Sequence, residues 1–70
     1  MATMATVVHI GERLRQLRER KALRQEDLAE LAGVGKNTVN RIEKNRTEPH
    51  MTTVRKLAEA LGVDPAELVE

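Results

Sequence analysis

The apolar residues of this chain recur at the spacing of helix turns, in short segments separated by glycine, proline and polar residues. In the first segment Ile10, Leu14 and Leu17 form one stripe, while arginine and glutamate residues occupy the other faces. This arrangement is typical of a helix that packs one face against a core and exposes the rest to water. The pattern predicts a first helix that starts at Ile10 and ends near Lys21.

Two further helices follow, joined by a very short connection. Leu28, Leu31 and Ala32 share one face of the second segment, and we expect this face to point inward. Residues 33–35, with two glycines, then interrupt the pattern, and a third amphipathic segment covers residues 36–44. The sequence therefore predicts two helices that meet at a tight turn.

The last third of the chain predicts a fourth and a fifth helix. Gly62 can end the fourth helix in the left-handed conformation that glycine adopts without strain. The fifth, short helix begins at Asp64, which can cap it, with Pro65 at the first helical position. The fourth helix is expected to bury Met51, Val54, Leu57, Ala58 and Leu61. The whole pattern predicts an all-α fold of five helices.

The length of 70 residues corresponds to one small domain, and we expect no separate sensor or catalytic domain beside it. Residues 1–9 show no helical periodicity and no basic cluster, so we predict a flexible N-terminal tail followed by one domain over residues 10–70. No apolar run approaches the length of a membrane span. We expect a cytoplasmic protein that does not contact membranes.

Composition narrows the chemistry further. The absence of Phe, Trp and Tyr disfavours the reading of single strands by base stacking. The chain has no Cys, and His9 and His50 lie far apart, so we expect neither a disulfide nor a zinc site. We find no paired-carboxylate site, no Ser or Cys nucleophile and no phosphate-binding glycine loop. We therefore expect no enzymatic activity, no cofactor and no small-molecule ligand.

The net charge is only +1, but the charges are segregated along the chain. Residues 11–24 carry six positive and two negative side chains, whereas residues 25–34 carry three negative ones and no positive one. Residues 35–50 are basic again, with four positive and two negative side chains. The first half and the middle of the chain therefore form the basic side of the protein.

The third helix has an outer face made only of Lys, Asn and Arg. At the helical spacing of about 100° per residue, this face covers about 140°. In the major groove of DNA, Arg can form two hydrogen bonds with guanine O6 and N7, and Asn can form two with adenine N6 and N7. Lys36 also puts a cation at the positive end of the helix dipole, a conflict that a bound phosphate would relieve. The face consists of Lys36, Asn37, Asn40, Arg41 and Lys44.

Taken alone, such a face also fits an ordinary solvated surface. The preceding amphipathic helix and the three-residue connection favour a helix-turn-helix over residues 25–45. The sequence resembles the Cro/phage-repressor family, also called the XRE family, in two segments: QEDLAELAGV, residues 25–34, and TVNRIE, residues 38–43. The similarity extends from Ile10 to about Leu68. It implies a five-helix lambda-repressor-like domain with the helix-turn-helix at helices 2 and 3. The implied function is a transcriptional regulator, with repression as the expected effect, that binds a double-stranded DNA operator sequence-specifically.

The resemblance also implies roles for single residues. Helix 3 would lie in the major groove, and Gln25 would hold a phosphate and brace the first turn of helix 3. Arg24 replaces the usual Ser or Thr cap of helix 2 and adds a cation near the phosphate path. Gln25 and Arg46 also fit plainer roles, as a helix-start residue and a solvated loop charge. The expected base-reading residues are Lys36, Asn37, Asn40 and Arg41. The expected phosphate-binding residues are Arg24, Gln25, Thr38, Lys44, Arg46 and Thr47.

Other positions are expected to be structural. By the same resemblance Arg18 of helix 1 pairs with Glu43, which falls on the inward side of helix 3. Ala22 and Asn45 stand where glycine commonly ends helices 1 and 3 in the family. Asn tolerates the left-handed conformation better than Ala does, so the exit from helix 1 stays open.

Alternatives to DNA reading remain. The same fold can serve as an antitoxin or adaptor whose partner covers the basic face, and a purely structural helical bundle is a third possibility. For the DNA-binding protein we expect a nucleoid-associated regulator that forms a weak homodimer through helix 5 and the end of helix 4. Leu68 and Val69 either contribute to that interface or complete the core of the monomer.

Overall fold

A computed structural model describes residues 10–69 of the chain. It contains five α-helices in this order: α1 (Gly11–Arg20), α2 (Gln25–Ala32), α3 (Lys36–Glu43), α4 (Met51–Leu61) and α5 (Ala66–Val69). The predicted order of helices is confirmed, with ends that shift by one or two residues. The predicted N-terminal tail, including His9, lies outside the described residues. Within residues 10–69 no helix has the length and apolar character needed to cross a membrane.

The core is built from aliphatic side chains that all five helices contribute. The helix α2 packs against α3 and α4, α1 packs against α3, and α5 packs against α4. Within residues 10–69 the buried side chains are all aliphatic, so burial in this small domain relies on close contact between helices. The most deeply buried large side chains are Ile10, Leu14, Leu28, Val39, Ile42, Val54, Leu57 and Leu61.

The prediction of burial is wrong for two residues. Leu31 is 62% exposed and Met51 is 56% exposed. The inward face of α2 is turned toward Ala29, which is 4% exposed and which periodicity did not identify. Met51 lies on the apolar stripe of α4, but it is the first residue of that helix and extends beyond the packed layer. Leu68, by contrast, is 3% exposed and completes the core of the monomer.

Four helices end near a residue with a positive φ angle. The two glycines, Gly33 at 73° and Gly62 at 71°, adopt this conformation without strain. Asn45 has a φ of 55° and Ala22 a φ of 58°. For Ala22 the side-chain Cβ approaches the following carbonyl, which costs roughly 1–2 kcal/mol. The exit from α1, left open by the sequence, is therefore a left-handed turn on a residue poorly suited to it.

We expect Ala22→Gly to raise the free energy of unfolding. Relief of the left-handed strain outweighs the extra freedom of glycine in the unfolded chain, and the net gain should be about 0.5–1 kcal/mol. Urea denaturation followed by circular dichroism measures it. The matched control Ala60→Gly, inside α4, should lower stability by about 1 kcal/mol. If Ala22→Gly lowers the free energy of unfolding, the left-handed conformation of Ala22 is not strained.

The start of α1 lies directly against the end of α3. The Gly11 N–H donates a hydrogen bond to the Asn45 side-chain oxygen at 3.1 Å. A Cβ on Gly11 would lie 2.5 Å from the carbonyl oxygens of Ile42 and Glu43. Asn45 thus has two functions, since its backbone ends α3 and its side chain satisfies a free N–H at the start of α1. Only glycine permits this approach.

We expect Gly11→Ala to destabilise the domain by about 1–3 kcal/mol, because the added methyl group meets backbone atoms that cannot move aside without shifting a helix. The same denaturation experiment tests it. Gly35→Ala is the control, since its Cβ would meet only the Thr38 hydroxyl at 3.6 Å, and it should change stability by about 0.5 kcal/mol. Equal losses for the two variants would refute the close approach.

Candidate nucleic-acid interface

The two sides of α3 differ completely in chemistry. Val39 and Ile42 are 0% and 1% exposed and anchor the helix in the core. Thr38 and Asn40 are half-buried at the edge of the helix. The fully exposed face consists of Lys36, Asn37, Arg41 and Lys44. The apolar side therefore fixes α3 to the domain and leaves a polar, cationic side free.

A partly buried ion pair holds the inner edge of α3 to α1. Arg18 Nε and Nη2 donate to the two carboxylate oxygens of Glu43 at 2.6 and 3.0 Å, and the side chains are 11% and 4% exposed. Arg18 Nη1 also donates to the Leu23 carbonyl at 2.8 Å. The hydrogen bond with Glu43 raises the pKa of Arg18 above its ordinary value. The pairing expected from the resemblance is thus a bidentate contact, which is the strong form of this interaction.

Gln25 connects this ion pair to the outer part of α3. Its Nε2 donates to Glu43 Oε1 at 3.0 Å, and its Oε1 accepts a hydrogen bond from Asn40 Nδ2 at 3.2 Å. The expectation that Gln25 braces the first turn of α3 is therefore wrong. The first residue of α2 packs beside the middle and the end of α3, so its side chain meets Asn40 and Glu43.

Arg24 is held at the start of α2 by acidic neighbours. Its guanidinium lies 3.1 Å from Asp27 and 3.4 Å from Glu26, and the side chain is 74% exposed. Asp27 Oδ2 also accepts the Arg24 backbone N–H at 2.9 Å, which satisfies a donor at the helix start. Hydrogen bonds from Arg24 lower the pKa of Asp27 and raise the pKa of Arg24. Asp27 thus makes one half of a capping box, and the other half is missing because the Arg24 side chain, unlike that of Ser or Thr, cannot accept a hydrogen bond from the first N–H groups of α2.

The beginnings of α2 and α3 border the same open cleft. Its lining residues are Arg18, Arg24, Gln25, Glu26 and Lys36. The free backbone N–H groups of helix starts attract anions, and the arginine and lysine side chains add positive charge. Arg46 and Thr47, beyond the other end of α3, are exposed. Arg24 and Lys36 therefore border one end of α3, and Arg46 and Thr47 lie beyond its other end.

Two contacts near the ends of α2 and α3 were not predicted from the sequence. Asp27 stands three residues after Arg24, the spacing of a capping box, and this signal was available in the sequence. The hydrogen bond between Asn45 and Gly11 joins residues 34 positions apart. No local sequence pattern predicts such a contact, since it depends on how α1 crosses α3.

Comparison with known proteins shows the family. A helix-turn-helix domain model matches residues 9–70. The cryptic phage CTXphi transcriptional repressor RstR of Vibrio cholerae is 47% identical over 59 residues, which cover 84% of this chain and 53% of the repressor. The restriction-modification controller protein C.AhdI of Aeromonas hydrophila has a TM-score of 0.84 at 41% identity, covering 91% of this chain and 97% of that one. SinR, the master regulator for biofilm formation, in complex with DNA, has a TM-score of 0.83 at 35% identity, covering 87% of this chain and 98% of that one.

The chain belongs to the helix-turn-helix family of Cro/phage-repressor, or XRE, type. Both the family and the five-helix lambda-repressor-like fold predicted from the sequence are confirmed. The chain spans about half the length of the phage repressor that it matches.

We expect the ion pair to be essential for folding. Arg18→Met leaves the Glu43 carboxylate buried without its cation, and the free energy of unfolding should fall by about 3–5 kcal/mol. In the Arg18→Met/Glu43→Met double variant part of this loss should return, with a coupling of about 0.5–3 kcal/mol. Thermal and urea unfolding of the parent protein, Arg18→Met, Glu43→Met and the double variant measures the cycle. Additive losses would show that the two side chains do not depend on each other.

Proposed function

We propose that this chain is the DNA-binding domain of a transcriptional repressor that reads a double-stranded operator in the major groove with α3. The observation that carries the proposal is the division of α3 into a buried apolar side and an exposed Lys/Asn/Arg side. The major groove admits one α-helix, and these side chains are the ones that recognise guanine and adenine there. Two related proteins support the same role, since RstR is a transcriptional repressor and SinR was crystallised in complex with DNA.

The proposed DNA contacts fall into two groups. Lys36, Asn37, Asn40 and Arg41 contact base edges, and Arg24, Gln25, Thr38, Lys44, Arg46 and Thr47 contact phosphates. The phosphate contacts set the register of the helix on the duplex but do not distinguish sequences. The net charge of only +1 does not oppose this role, because the exposed face of α3 carries three positive side chains, Lys36, Arg41 and Lys44, and no negative one.

A weak homodimer is the proposed binding form, with α5 and the end of α4 at its interface. Val69 is 39% exposed and available for it, whereas the buried Leu68 is not. Two copies related by a twofold axis would read two half-sites whose centres are one helical turn apart, roughly 34–36 Å. A single, unrepeated half-site among the selected DNA sequences would argue against this arrangement.

Selection of binding sites from random duplex DNA tests the function. We expect one motif of a few fixed base pairs and an affinity that falls steeply with salt, because binding releases counterions from phosphates. Asn37→Ala and Arg41→Ala should each relax the preference at one position, by about 1–3 kcal/mol of discrimination.

The matched comparison is Arg46→Ala, which removes a proposed phosphate contact. It should weaken binding to all sequences alike and reduce the slope of affinity against salt by about one unit. If no motif emerges at low salt and the Asn37 and Arg41 variants bind like the parent protein, the chain is an adaptor or antitoxin-type module and not a DNA reader.

A further inference from the structure

The side chains of Glu43, Gln25 and Asn40 form a continuous path of hydrogen bonds from the interior to the edge of α3. Its links are the 3.0 Å bond from Gln25 to Glu43 and the 3.2 Å bond from Asn40 to Gln25. One end is the ion pair, with Glu43 4% exposed. The other end, Asn40, stands among the proposed base-reading residues. A structural contact and a reading residue are therefore linked by a single glutamine.

The charge of Glu43 sets the direction of every bond on this path. An ionised carboxylate only accepts hydrogen bonds, and Arg18 already donates to both of its oxygens. Gln25 has to turn its amide nitrogen toward Glu43, which leaves its carbonyl oxygen toward Asn40. Asn40 in turn has to present its own amide nitrogen. Turning either amide over would set donor against donor or oxygen against oxygen.

We propose that Gln25 is a positioning residue that fixes the amide orientation of Asn40 and so restricts Asn40 to adenine. After donating one N–H to Gln25, Asn40 keeps its Oδ1 and its second N–H. This acceptor and donor match the N6 amino group and N7 of adenine in the major groove. Guanine presents two acceptors, O6 and N7, and both N–H groups of Asn40 would be needed there. The bond to Gln25 removes one of them.

The inference rests on the proposed function and gives Gln25 a task beyond holding a phosphate. A phosphate contact is lost equally at every sequence, whereas a lost orientation changes the preference at one base pair only. The two roles of Gln25 therefore leave different signatures in a selection experiment.

The test compares sites selected by the parent protein with those selected by three variants. Asn40→Ala identifies the base pair that Asn40 reads. Gln25→Met keeps the length of the side chain but removes both hydrogen bonds. Arg46→Met is the matched control at a proposed phosphate contact outside the path. Thermal unfolding of each variant verifies that the domain is folded at the temperature of selection.

We expect the parent protein to prefer adenine over guanine by about tenfold or more at the position identified with Asn40→Ala. In Gln25→Met guanine should be accepted there to within about threefold of adenine, while the other positions keep their preferences. Arg46→Met should lower affinity without altering any position.

Three results would overturn the inference. If Gln25→Met weakens binding to all sites equally and keeps the adenine preference, Gln25 acts only on phosphate, and the proposed function stands. If Asn40→Ala changes no position, Asn40 reads no base, and the proposed function again stands. If the parent protein selects no motif at all, the proposed function fails together with this inference.

Discussion

The carboxylate of Glu43 is the group on which the arrangement of the first three helices depends. It is 4% exposed, and a charge removed from water at this depth is tolerated only when its oxygens are fully engaged. Arg18 from α1 and Gln25 from α2 together provide three donors. Since the acceptor belongs to α3, satisfying one charge fixes the relative positions of three helices.

This constraint bears directly on the surface that we propose for DNA. The side chains of Val39 and Ile42 hold α3 against the core, but apolar contacts are not directional and would tolerate a small rotation of the helix. The hydrogen bonds to Glu43 are directional. They define which residues of α3 face outward, so the orientation of Asn37 and Arg41 is determined before any ligand arrives. A reading surface built in advance loses less entropy on binding.

Two features of the chain conflict with local conformational or electrostatic preferences. Ala22 holds a left-handed conformation just after α1, and Lys36 sits at the positive end of the α3 dipole. Local conflicts of this kind are common where a sequence serves a function as well as a fold. The conflict at Lys36 disappears when an anion binds there, whereas the strain at Ala22 has no such explanation in the structure.

Most of the fold and the composition of the exposed α3 face could be predicted from the sequence, because periodicity reports which side of a helix is apolar. Periodicity does not report how far the packed layer reaches. Leu31 and Met51 were therefore placed inside wrongly, and Ala29 was missed because the inward face of α2 was drawn through Leu31, whereas it runs through Leu28, Ala29 and Ala32. The link from Gln25 to Asn40 could not be foreseen either, since it requires the crossing geometry of α2 and α3. Sequence identifies the candidate reading residues, and tertiary structure determines how they are oriented.

The proposed role of α3 requires that its outer face enters the major groove. Methylation interference on a selected binding site distinguishes the two grooves, because dimethyl sulfate modifies guanine N7 in the major groove and adenine N3 in the minor groove. We predict that methylated guanines within the motif abolish binding and that methylated adenines are tolerated. Interference by adenine methylation alone, with guanine methylation harmless, would place the contact in the minor groove and contradict the assignment of α3 as the reading helix.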